Sequence, residues 1–120
     1  VPPETSKFPD GSDVEVFSMS ALECAHREAK DTHLREHVTF QFWQDHNYTS
    51  SQYTQEKDWS KYRITVDYPE DFEVVKYVFN ELGVRSIFGN LNEIINIIDG
   101  NNEIKEKNSQ YFFGQGWARD

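Results

Sequence analysis

The chain has 120 residues, 37% of them hydrophobic and 15% aromatic, which suits one small globular unit with a limited apolar core. Twelve basic against 21 acidic side chains leave a formal charge of -9, which repels nucleic acid and anionic membrane surfaces over the range that salt leaves unscreened. A nucleotide stays compatible, because a divalent ion held by carboxylates can sit between protein and phosphates; with no basic and apolar leader and no long apolar run, the expectation is a soluble cytoplasmic chain without a membrane span.

In chain order, "VPPETSKFPDGS" holds three of the four prolines and reads as an extended lead into a turn at Asp10 and Gly11. "DVEVF" then alternates acid and apolar, with Val14 and Val16 on one side and Asp13 and Glu15 on the other, the pattern of a strand with one wet face. Ser20 and Glu23 match a capping box ahead of Leu22, Ala25 and Ala29, which predicts a helix over about 20–30. Cys24, the single cysteine, falls within that pattern and reads as a packed thiol without redox chemistry. A second helix is expected from about Arg35 to His46, although Val38, Thr39, Phe40 and Phe42 favour a strand locally.

Residues 47–62 carry no helical stripe and read as a loop or irregular hairpin arm leading to a short strand, Ile64 to Val66. Pro69 then opens a helix, with Glu70 and Asp71 complementing the dipole in its first turn. Phe72, Val75, Phe79 and Leu82 form the expected buried stripe and Gly83 the stop. A further helix starts at Asn90 and Glu93, buries Leu91, Ile94, Ile95 and Ile98, and ends at Gly100. This order predicts an α/β chain with helices covering a mixed sheet, and two or three strands make a poor sheet alone, so residues 1–120 read as a single unit that is half of a larger domain.

Three groups invite a chemical reading. Asp67 ends the Ile64 strand just before the Pro69 helix, where it either caps that helix or grips a metal at a strand's carboxyl end; locally the cap is the commoner state. "HLREH" at 33–37 matches the H-x-x-E-H zinc peptidase string, with His33 and His37 as ligands and Glu36 as base, although a five-residue match arises readily by chance and "KDT" before it is turn-like. Trp43, Trp59 and Trp117, without interleaved basic residues, read as core or subunit contacts rather than a stacking platform. No Gly-rich phosphate loop occurs.

Taken in order, "FPDGSDVEVFSMSALECAHREAK", "REHVT" and "RITVDYPEDFEVVKYVF" resemble the C-terminal half of cytidylyltransferases of the spore coat polysaccharide biosynthesis type, relatives of the acylneuraminate and 3-deoxy-manno-octulosonate cytidylyltransferases, over about Phe8 to Ile98. The resemblance implies a nucleotide-diphospho-sugar transferase-like mixed sheet with flanking helices, with CTP held by an N-terminal half that this chain lacks. It also implies magnesium as cofactor, and CTP and a sugar or sugar acid as partners; a homodimer is compatible with it. Carried over by position, Asp67 aligns with the family's metal-binding aspartate, which reverses the local preference for the cap, and Asp13, Glu15, Arg35, Glu36 and His37 fall around the sugar pocket. Thr65 stands where the sialate branch has a second acid, and Phe40 where a proline follows "HVT". The expectation is a fragment that does not turn over CTP alone, with a non-catalytic oligomerisation or sugar-binding module as the alternative.

Overall fold

The computed structural model describes residues 6–37, 39–45, 47–85, 89–112 and 115. Val38, His46 and Trp117, which enter the readings above, lie outside them. The chain divides into two compact units, one built on Val14–Thr54 and the other on Lys7–Asp13 with the described part of Gln55–Asp120.

The described residues of the first unit hold three short helices. Helix α1, Met19–Glu28, is capped two residues earlier than the capping box predicts: Ser18 is the cap, its hydroxyl accepting the Ala21 N–H at 3.1 Å. Ala25 and Ala29 are buried, as the helical spacing predicts, and Cys24 is half-buried with its thiol donating to Glu28 Oε1. The single helix expected from Arg35 to His46 is two pieces, α2 at Thr32–Glu36 and α3 at Phe40–Gln44. Asp31 caps α2 by accepting the His33 N–H at 2.8 Å, and His37 closes it. β-branched and aromatic residues are weak helix formers, which is consistent with a break here.

The second unit holds the larger core. Helices α4 (Pro69–Leu82), α5 (Leu91–Asp99) and α6 (Asn102–Glu106) pack on one another around Tyr62, Val74, Val78, Leu82, Ile95, Ile98 and Ile104. Each such side chain removed from water contributes about 1.5–3 kcal/mol before the entropy of ordering it. Gly83 ends α4 at φ 56°, a conformation a side chain resists, and its N–H donates to the Phe79 carbonyl. Asn90 caps α5 through the Glu93 N–H at 3.1 Å, as predicted.

The expected mixed α/β sheet is not there. The described residues are helical and hold no strand; the one β feature among them is an isolated parallel bridge between Asp10 and Arg63. Around that bridge, Asp10 N–H donates to the Tyr62 carbonyl at 3.0 Å and Ile64 N–H to the Asp10 carbonyl at 2.8 Å. Gly11, at φ 95°, lets the two segments approach: a Cβ there would collide with the backbone of Ile64 and Thr65. The predicted strands fail for want of partners. Val14 and Val16 stand exposed with no ladder beside them, and only the first residue of the Ile64–Val66 run pairs.

The buried face of α4 is also corrected. Asp71, Val74, Val78 and Leu82 face inward, while Phe72 and Phe79 are exposed. Leu82 is buried as expected, but the first three positions of the stripe sit one residue earlier, because the inward turn of Asp71 toward Arg63 sets the rotation of the helix about its axis.

Candidate functional site

Arg63 is the centre of the most connected polar group in the second unit. The residue is 8% exposed and its guanidinium holds three carboxylates: Nε reaches Asp71 Oδ1 at 2.9 Å, Nη2 reaches Asp67 Oδ2 at 2.7 Å and Asp71 Oδ2 at 3.0 Å, and Nη1 pairs with Asp10. The bidentate fork to Asp71 is the geometry that a planar guanidinium favours. Asp71 is fully buried, and the rest of its hydrogen-bonding capacity is filled. Its Oδ2 accepts the N–H groups of Asp67 and Tyr68, each at 3.1 Å, and its Oδ1 accepts Asn108 Nδ2 at 2.8 Å. The stacked rings of Tyr68 and Tyr111, 4.0 Å between centroids, lie beside the guanidinium, 5.7 and 5.8 Å from it.

The three acids are not equivalent. Burial pushes the Asp71 carboxyl up, but the hydrogen bonds from Arg63, Asn108 and the two backbone amides outweigh it and hold it below the ordinary value. Burial raises the Asp10 carboxyl, with Arg63 opposing and the neighbouring Asp13 and Asp67 charges adding to the rise. Asp67 is different again: its side chain is 61% exposed, one oxygen is held by Arg63, and Oδ1 accepts no hydrogen bond among the described residues. One end is anchored and the other is open.

Asp67 does not cap α4, since that role belongs to Asp71. As a metal ligand it offers one oxygen. Magnesium is commonly bound through one or two carboxylates with the remaining positions taken by water and substrate phosphates, so a single open oxygen fits that ion only when a nucleotide brings the rest. Among the described residues no three His, Cys, Asp or Glu side chains are placed to hold a metal by themselves.

Of the other predicted site residues, Asp13 belongs to the second unit, where it is exposed near Asp10, whereas Glu15, Arg35, Glu36 and His37 belong to the first. Glu15 accepts the Trp43 indole N–H at 2.8 Å. Arg35 donates from Nη1 to the carbonyls of His26 and Ala29, serving the C-terminus of α1, and Glu36 is exposed on α2. The imidazoles of His33 and His37 meet edge to face at 4.6 Å, and His37 stacks on Phe40 at 4.5 Å, so both rings of the "HLREH" string are engaged in aromatic packing. Sequence reasoning missed Arg63 and Asn108, and took Asp10 for a turn residue and Asp71 for a dipole partner. An arginine opening an apolar run, four residues before Asp67 and eight before Asp71, was the available signal.

Compared with curated proteins, the chain is similar to an uncharacterized protein of Methanocaldococcus jannaschii, at 30% identity over 102 residues covering 82% of this chain and 41% of that protein. The chain therefore spans about two-fifths of the length of this relative. No protein-family model matches it, and no solved structure matches it significantly. Among the described residues no helix is long and apolar enough to cross a membrane.

Proposed function

We propose that this chain is the C-terminal part of a cytoplasmic nucleotidyltransferase that moves CMP from CTP to a sugar or sugar acid for surface polysaccharide biosynthesis. The observation that carries the reading is Asp67: an exposed carboxylate at the N-terminus of α4, anchored through one oxygen by a buried arginine and open at the other. The three ordered sequence blocks that resemble cytidylyltransferases place their metal-binding aspartate at this residue. Similarity to a protein more than twice as long is in keeping with an activity that needs residues beyond these 120.

In this reading a sugar hydroxyl attacks the α-phosphorus of CTP and pyrophosphate leaves. Magnesium, when bound, supplies neutralisation of phosphate charge. The work of this chain is positional. Arg63 fixes the Asp67 carboxylate in one orientation, so that no rotamer search is needed when the nucleotide arrives, and the positive end of α4 lies beside the incoming anion. Asp71 keeps Arg63 ionised and in place.

The test is pyrophosphate release by the longer protein that this reading requires, assayed with CTP, magnesium and a panel of sugars and sugar acids. Release that depends on CTP, magnesium and one sugar class supports the reading, and none with any pairing contradicts it. The engagement of Asp10 and Asp71 by Arg63 favours a second reading, a non-catalytic sugar-binding or oligomerisation module. That module would bind sugar or self-associate without turnover in the same assay.

A further inference from the structure

A cavity of about 290 Å³ opens in the second unit beside the Arg63 group. Its apolar wall comes from Val74 and Ile98, both core residues, together with the Tyr62 ring. Tyr111 forms another wall, its ring held by stacking on Tyr68 and its hydroxyl donating to Glu70 at 3.0 Å. Between these walls lies Asn108, which is 5% exposed. Both Nδ2 hydrogens are committed, one to the Arg63 carbonyl at 3.1 Å and one to Asp71 Oδ1 at 2.8 Å. Because both partners are acceptors, the orientation of the amide is determined, and Oδ1 points the other way. Oδ1 accepts no hydrogen bond among the described residues, yet no sealed side-chain polar atom among them lacks a partner. An acceptor on an almost wholly buried side chain is thus kept open on the cavity that the residue lines.

Charge decides the class of ligand. Arg63 is more than neutralised by its three aspartates, and Lys105 is paired with Asp99 at 2.6 Å. What remains on the lining is Lys61, which has no ion pair among the described residues, and Glu106, of opposite sign. No net positive charge is left to select an anion. Size decides the rest: the volume lies at the bottom of the ~300–1,000 Å³ range of small-molecule sites, which suits a molecule of about a dozen heavy atoms and excludes a nucleoside triphosphate.

We propose that this cavity binds a single neutral monosaccharide, its C–H face against the rings of Tyr111 and Tyr62 and a hydroxyl donating to Asn108 Oδ1. Lys61 and Glu106 supply further donors and acceptors at the rim. The inference makes no use of nucleotidyl transfer, so binding measured without CTP or magnesium succeeds or fails separately from that reading.

The experiment is a titration of the isotopically labelled chain with D-glucose, D-galactose and N-acetyl-D-glucosamine, following the Asn108 side-chain amide and the Tyr111 ring by NMR. D-glucuronate and inorganic phosphate serve as anionic probes. At least one neutral sugar should shift both signals saturably, and Ser109→Trp, a filling change at an exposed rim position, should weaken that binding about tenfold or more with the circular dichroism spectrum unchanged. Ser109→Ala should retain it. The proposal is overturned if no neutral sugar gives saturable shifts, if Ser109→Trp binds as the parent does, or if either anion binds more tightly than every neutral sugar.

Discussion

Arg63 and Asp71 form a buried ion pair whose value lies less in net stability than in what its loss exposes. Desolvating two charges costs several kcal/mol, which their attraction and hydrogen bonds roughly offset, but removing one partner strands the other in the core. Arg63→Met should therefore lower the unfolding free energy by about 3–5 kcal/mol in urea denaturation. Asp67→Asn touches an exposed pair and should cost less than about 1 kcal/mol in the same measurement. The acids also predict a pH dependence. The folded-state value of Asp71 lies below the ordinary 3.8, so its contribution is fully present above about that pH and is lost as pH falls through the lower folded value. Asp10, whose value is raised, works in the opposite sense: its contribution is largest in acid and declines as pH rises through its folded value. The difference in melting temperature between the parent and Asp71→Asn should thus stay constant from neutral pH down to about 4 and shrink below it.

At the scale of elements, the inward turn of Asp71 displaces the first three positions of the expected α4 stripe by a single residue and leaves Leu82 in place. Phe79→Gln, on the exposed face of α4, should change stability by less than about 0.5 kcal/mol, whereas Val78→Ala should cost about 1 kcal/mol or more, read from the same denaturation curves. The reverse order would show that Phe79 faces the core. Helix ends were legible in the sequence because caps and stops are local: Pro69, Gly83, Asn90 and Gly100 all mark the boundaries they predict. The rotation of α4 was not, since Phe72 and Phe79 outrank Val74 and Val78 in apolarity and only the pairing of Asp71 with Arg63, outside the helix, explains why it turns. Strand propensity misled for a related reason, because a strand exists through its neighbour and "DVEVF" and "ITV" have none beyond one bridge.

Across the whole molecule, whose net charge is -9, one arrangement stands out: a buried base holding two inner acids and presenting a third to solvent. Asp67 was readable as a candidate because an acid at the end of an apolar run is conspicuous. Its anchoring was not, since Arg63, Asp10 and Asn108 come together only through folding. The division of labour within the group is the central claim: Asp71 serves the fold and Asp67 serves a ligand. It is tested most directly by placing Asp67→Asn in the longer protein and measuring magnesium-dependent pyrophosphate release from CTP beside the melting temperature. The account predicts a fall in turnover of at least about a hundredfold with melting shifted by no more than about 2 °C; turnover within a few fold of the parent, in a protein equally stable, would contradict it.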